Sequence, residues 1–164
     1  MITTSADAFS LHGRAAARKH AVLVSCGVGR SILRENDMPR KKVNVSTAAV
    51  VGPYSQAVQA GDFLMCSGQA PVNPETRKLV EGSIADQTRP CFANLFQILN
   101  AAGLASDDVV AVNVYLVDMN DFRAMNEVYA QYFEAPYPAR MTIGCASLPL
   151  GARVEIGLTA VISR

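Results

Sequence analysis

The chain has 164 residues, half of them hydrophobic, with 15 Lys and Arg against 14 Asp and Glu; that is one domain with enough apolar material for a packed core. The charge is divided unevenly, with eight basic and three acidic residues in 1–42 against seven and eleven in 43–164. The body is therefore acidic, which argues against a nucleic-acid surface, where clustered Lys and Arg must displace counterions.

Residues 1–37 read as an appendage rich in Ser, Ala and Arg. That is the composition of an organelle transit segment, and equally of a disordered tail or an upstream extension with Met38 as an alternative start. The folded domain is assigned to 38–164, and the destination to mitochondrion or cytoplasm. The apolar stretch Ala21–Val24 is short and broken by Ser25-Cys26-Gly27, so it does not make a secretory signal. No apolar run approaches the roughly 20 residues a membrane helix needs. Both histidines, His12 and His20, lie in the appendage. The body then has none, which removes Ser–His and Cys–His nucleophiles and any histidine metal site.

Past Val43 the pattern becomes regular. Residues 43–51 are strand-like and end at Gly52-Pro53. Ala57–Ala60, the turn Gly61-Asp62 and Phe63–Cys66 form a hairpin. After a loop at 72–76 comes a helix capped by Ser83 or Asp86, with Phe92, Leu95, Leu99 and Ala102 as its buried stripe. Gly103-Leu104 stops it. Val109–Val117 is a strand. A second helix, capped by Asn120 or Asp121, carries the stripe Phe122, Met125, Tyr129 and Tyr132 and ends before Pro136 and Pro138. Ala139–Ser147 is a strand, Leu148–Gly151 a turn, and Arg153–Ser163 the last strand. The order is β-β-β-α-β-α-β-β, with each helix a crossover on one face of a mixed sheet. In the last strand Val154, Ile156, Leu158 and Ala160 point one way and Glu155, Gly157, Thr159 and Val161 the other. The second set suits a subunit interface containing a polar pocket, or a solvated face.

Four cysteines (Cys26, Cys66, Cys91 and Cys145) form no C-x-x-C pair and have no histidine to complete a zinc set. They read as buried, reduced thiols of a reducing compartment. Two charged residues stand in apolar surroundings: Arg140 after Tyr137-Pro138-Ala139, and Glu155 within Arg153–Leu158. A buried Arg needs an anion, and a buried carboxylate needs a donor or a raised pKa. The pair is either a structural interface salt bridge or part of a pocket. In the pocket reading, Gly52–Gln56 and Cys66–Gln69 add hydroxyls and backbone amides around a small carboxylate substrate and an activated water.

Several motifs occur together in order and spacing: Gly52-Pro53-Tyr54-Ser55-Gln56-Ala57, Ser67-Gly68-Gln69-Ala70-Pro71-Val72-Asn73, Gln87-Thr88, Asn94-Leu95, Ala101-Ala102-Gly103-Leu104, Val114-Tyr115-Leu116, Met119-Asn120-Asp121-Phe122, Asn126-Glu127-Val128-Tyr129, Pro138-Ala139-Arg140 and Val154-Glu155-Ile156. Over roughly 43–164 the chain closely resembles the Rid family of enamine and imine deaminases. The resemblance implies an α+β, chorismate-mutase-like layer: a mixed six-stranded sheet with two helices on one face, packed as a homotrimer around a central barrel. Three clefts then lie between neighbouring subunits. It implies hydrolysis of 2-aminoacrylate, 2-iminopropanoate and 2-iminobutanoate to 2-oxo acids and ammonia, with no metal or organic cofactor. It assigns Arg140, Glu155 and Tyr54 to catalysis, and Arg140, Ser67, Gly68, Asn94 and Thr142 to substrate binding. Many bacterial members have Cys where this chain has Thr142, so only the backbone there inherits a role. The alternative is a ligand-sensing regulatory trimer or a translation-inhibiting endoribonuclease.

The chemistry suits the residue types. Arg stays protonated and grips a carboxylate with a planar fork, which Lys cannot do. A protonated imine carbon is already electrophilic. The protein need only place a water and move a proton, the work assigned to Glu155 with Tyr54 or Ser67 beside it.

Overall fold

The computed structural model describes residues 40–45 and 52–162. The strands are β1 (Lys41–Val43), β2 (Ala57–Ala60), β3 (Phe63–Gln69), β4 (Val109–Leu116), β5 (Ala139–Gly144) and β6 (Val154–Val161). Helix α1 (Ile84–Ala101) precedes β4, and helix α2 (Phe122–Tyr129) precedes β5. They form one six-stranded sheet in the order β1-β2-β3-β6-β4-β5. All pairs are antiparallel except β4 with β5. This is the expected α+β fold, a mixed sheet with two helices. The reading of residues 1–37 and that of strand over 46–51 lie outside the described residues; where the expected strand of 43–51 is described, it departs, because β1 runs Lys41–Val43 and residues 44–45 are not strand.

Helix α1 starts where its sequence provides a cap. The Ser83 hydroxyl accepts from the Asp86 amide, and the Asp86 carboxylate accepts from the Ser83 amide, a closed capping box. Phe92, Leu95 and Leu99 are fully buried, while Ala102 lies past the helix end and is only half-buried. Gln87 is also buried on α1. Its side chain donates to the Val80 carbonyl at 2.9 Å and accepts from the Arg153 amide at 2.9 Å, tying the helix to the start of β6.

Helix α2 departs from expectation at both ends. Neither Asn120 nor Asp121 caps it through a side chain. Asp118 instead caps the short 3-10 turn Met119–Asp121 by accepting from the Asn120 amide at 2.9 Å. Asp121 occupies the N-cap position without making a cap bond. The helix ends at Tyr129, so Tyr132 falls in the turn beyond it rather than on its stripe, and Phe122 is half-exposed. The next strand stops at Gly144 rather than Ser147. Its successor turn is a 3-10 segment, Pro149–Gly151, with Leu150 at φ 61°.

Strand alternation sorts the side chains. Val112, Val114 and Leu116 of β4 and Val154, Ile156, Leu158 and Ala160 of β6 are buried beneath the helices. On the other face, Phe63 and Met65 of β3 and Met141 and Ile143 of β5 are 41–49% exposed. Tyr115, Glu155 and Ile143 form one transverse row there. The face is apolar with a carboxylate set into it, not a solvated polar surface. Such a patch marks a contact surface.

Candidate functional site

The glutamate side is built by an irregularity in β3. Cys66 pairs with Leu158, and the next pair is Gln69 with Ile156. Three steps along β3 therefore match two along β6, a bulge at Ser67-Gly68. The bulge is pinned from outside the ladder. The Ser67 amide donates to the Gln56 carbonyl at 2.9 Å, and its hydroxyl donates to the Ser55 carbonyl at 2.7 Å. This brings Ser55, and with it the half-exposed Tyr54, alongside the bulge. Gly68 is required by space. A Cβ there would overlap Glu155 Oε1 and come within 2.9 Å of Glu155 Cδ. The carboxylate thus lies in the gap that a missing side chain leaves. Burial pushes the Glu155 pKa up from the ordinary carboxylate value. No cation lies within ion-pair distance of it among the described residues. Ser67, Gly68 and Glu155 therefore form one contiguous group, and Tyr54 is next in sequence to the Ser55 carbonyl that holds Ser67.

The arginine side is built by β5 and α2. Arg140 pairs in register with the buried Val112, which turns its side chain to the helix face. Nη1 donates to the Asn126 side-chain oxygen at 2.7 Å. The guanidinium carbon stands 4.5 Å from the Tyr129 ring centre and 5.8 Å from that of Phe122. Tyr129 is held from behind by Phe92 at 5.8 Å and Phe133 at 4.9 Å. Arg140 takes part in none of the ion pairs among the described residues. Its support is an amide and two aromatic faces, so its charge is not neutralised by any carboxylate among the described residues. Asn126, Tyr129, Ala130, Tyr137 and Pro138 line a cavity of about 350 Å³ with it. A larger cavity of about 490 Å³ lies elsewhere, between Val45, Pro74, Glu75, Gln97 and Asn100. It holds none of the candidate residues.

Thr142 lies on the same face of β5 as Arg140, and its hydroxyl is buried with no partner among the described residues, as is that of Tyr129. A buried hydroxyl without a partner is a net cost, and removing it relieves that cost. Tyr129→Phe keeps the ring beneath the guanidinium, so we expect it to stabilise the fold by about 1 kcal/mol. That corresponds to a melting point higher by roughly 2–4 °C. A thermal denaturation midpoint at or below that of the wild type would contradict the reading.

The candidate residues do not all converge. Arg140 and Glu155 stand on opposite faces of the sheet and form no ion pair with each other within the chain. Asn94 belongs to neither group: it is buried on α1, and its amide donates to the Val72 carbonyl at 2.9 Å. That bond anchors the loop after β3. The helix asparagine that does reach Arg140 is Asn126. Its signal was present in the sequence as a polar residue three positions before Tyr129, one turn away on the same helix face. No group of three or more His, Cys, Asp or Glu among the described residues is arranged to hold a metal. Burial pushes the Cys66 thiol up to about 12 and raises Cys91 as well, so neither is a thiolate nucleophile at neutral pH. No helix among the described residues is long and apolar enough to cross a membrane.

Comparison with known proteins places the chain in a family. The family profile described as Endoribonuclease L-PSP matches residues 45–162. A RutC family protein of Pyrococcus horikoshii is 51% identical over 106 residues, covering 65% of this chain and 84% of that protein. A 2-iminobutanoate/2-iminopropanoate deaminase of Dermatophagoides farinae is 45% identical over 112 residues, covering 68% of this chain and 88% of its own length. Among solved structures, E. coli TdcF with bound serine superposes with a TM-score of 0.71 at 38% identity, covering 75% of this chain and 99% of that one.

Proposed function

We propose, from the premise that this chain belongs to the endoribonuclease L-PSP, or Rid, family, that it hydrolyses small 2-imino acids and their enamine tautomers to 2-oxo acids and ammonia. The substrates of this reading are 2-aminoacrylate, 2-iminopropanoate and 2-iminobutanoate. The observation that carries it is the state of Arg140: a guanidinium fixed by Asn126 and Tyr129, with no carboxylate among the described residues at ion-pair distance. Such a group is an anion site, and its planar fork fits the substrate carboxylate.

The proton chemistry belongs to Glu155. Ionised, it takes a proton from water as the oxygen attacks the protonated imine carbon. The resulting carbinolamine receives that proton on nitrogen, the C–N bond breaks to release ammonia, and the hydroxyl proton passes to the regenerated Glu155 carboxylate and on to the ammonia, leaving the carbonyl and ammonium. An enamine enters the same route once its β-carbon is protonated. A pKa raised by burial strengthens the carboxylate as a proton acceptor, which suits the first transfer.

Because Arg140 and Glu155 face opposite ways in one chain, the reading requires a second copy. The arginine group of one subunit meets the glutamate group of the next, and the apolar sheet face carrying Met65 and Met141 supplies the contact. A closed homotrimer with a cleft at each interface is the assembly proposed.

The test is a coupled assay. A threonine dehydratase generates 2-iminobutanoate, and release of 2-oxobutanoate is followed with and without this protein. Acceleration is expected. No acceleration, together with cleavage of single-stranded RNA by the same preparation, would move the assignment to the activity in the family's description. The acidic composition of 43–164 and its lack of histidine weigh against that outcome.

A further inference from the structure

Both donors of Ser67 are committed inside the chain. Its amide donates to the Gln56 carbonyl at 2.9 Å, and its hydroxyl stands 2.7 Å from the Ser55 carbonyl. A carbonyl oxygen only accepts, so that contact carries the hydroxyl proton and fixes its direction. The Ser67 carbonyl is covered too, since it accepts from the Gln69 side-chain amide at 3.2 Å. What Ser67 still offers is the lone pairs of its hydroxyl oxygen.

That oxygen shares a face with Glu155. Phe63 and Met65 of β3 are exposed on the side away from the helices, and alternation carries Ser67 onto the same side. The Glu155 carboxylate fills the place that a Cβ on the adjacent Gly68 would take. Two acceptors therefore stand side by side, a locked hydroxyl oxygen and a carboxylate. No cation lies at ion-pair distance from that carboxylate among the described residues. Such a pair complements a positively charged group with two N–H donors, which is what a protonated imine is. One carboxylate oxygen and the Ser67 oxygen take the two N–H bonds, and the other carboxylate oxygen is left for the attacking water. A 2-oxo acid inverts the pattern. It puts a carbonyl oxygen where the nitrogen was, facing two acceptors with no proton to share.

We propose that Ser67 is a specificity-determining residue: its locked hydroxyl reads the protonated nitrogen of the substrate and, with Glu155, disfavours the carbonyl oxygen of the product. The proposal rests on the reading of Glu155 as the group that works on the imine. It differs from a purely structural role, in which the hydroxyl only pins the bulge and so holds the carboxylate in place. The acid limb of kcat/KM reports the free enzyme's own groups. A hydroxyl whose proton goes to Ser55 gives none to Glu155, so its direct loss leaves that limb where it was. A relaxed bulge that lets the carboxylate reach water moves it to lower pH.

The experiment is calorimetric titration of the assembled protein with two ligands that need no turnover. One is 2-aminobutanoate, whose ammonium stands in for the protonated imine; the other is 2-oxobutanoate. Wild type is expected to bind the amino acid about tenfold more tightly, the usual worth of a hydrogen bond to a charged group. In Ser67→Ala this preference is expected to fall about five- to tenfold, with the acid limb of imine hydrolysis unmoved. Equal binding of the two ligands by wild type, an unchanged preference in Ser67→Ala, or a lost preference with a shifted acid limb each overturns the proposal. Should Ser67→Ala fail to fold, Ser67→Cys decides by the same two readouts, because its sulfur keeps the shape and accepts poorly. Wild type that binds neither ligand overturns the carboxylate site at Arg140 instead, an outcome distinct from the others.

Discussion

Arg140→Ala is expected to return imine hydrolysis to the uncatalysed background while the fold and the assembly persist. The guanidinium forms no ion pair among the described residues, so its removal strands no buried carboxylate there. It leaves only the Asn126 side-chain oxygen without its donor, at an exposed position. What is lost is the grip on substrate. Two charge-assisted bonds at about 1.5–3 kcal/mol each correspond to roughly 10²–10⁴ in kcat/KM. Arg140→Lys keeps a positive charge but loses the fork, the bond to Asn126 and the stacking on Tyr129, so it is expected to recover only a small part of the activity. The coupled assay on both variants, with sedimentation to check assembly, measures this. An alanine variant retaining half of the wild-type rate would remove Arg140 from the site.

The fold was legible because its signals are local. The Gly61-Asp62 turn, the Ser83 cap, the Gly103 stop and the alternation in β6 each announce themselves within a few residues, and each stands where expected. The end of α2 was misread because Tyr132 continues the helical period. It is held by stacking on Phe92 at 4.5 Å, a tertiary contact that no local pattern encodes. The cap position of α2 stands at Asp121, one of the two expected residues, but its carboxylate answers to Arg153 across the fold rather than to its own helix.

The site was legible in kind but not in arrangement. Arg140 and Glu155 stood out as charges in apolar sequence. That they occupy opposite faces follows from strand parity and from the register of β5 against β4, and register is a property of the assembled sheet. Asn94 and Asn126 are both helical asparagines. Only the packing of α2 beside β5 selects the one that touches Arg140, while the other closes a loop on α1. The space over Gly68 was hidden for the same reason. The sequence shows a glycine in a strand, and the bulge explains why a side chain is excluded there.

Glu155→Gln is expected to lower kcat by roughly 10²–10⁴, the usual worth of a positioned acid–base group, and to make the protein more stable at neutral and higher pH. Burial raises the folded-state pKa of Glu155, so the folded protein holds the proton more tightly than the unfolded chain does. The stability this contributes is fully present below the ordinary carboxylate pKa and is lost as pH rises through the raised value. Above it, the ionised group is a standing cost in the folded state. Glutamine is neutral throughout, so the melting-point advantage of the variant should be absent in acid and grow toward pH 8. Gly68→Ala separates position from charge. Its methyl group displaces the carboxylate without removing it, and the displaced atoms belong to the end of a flexible side chain, so the fold should survive. Activity should fall at least tenfold, a misplacement of about 1 Å being able to cost a hundredfold. If the displaced carboxylate reaches water, the acid limb of the rate profile should move to lower pH. Melting curves across pH and rate profiles of the two variants test this jointly. A glutamine variant that is fully active, or less stable than wild type at pH 8, would show that the carboxylate is structural rather than catalytic.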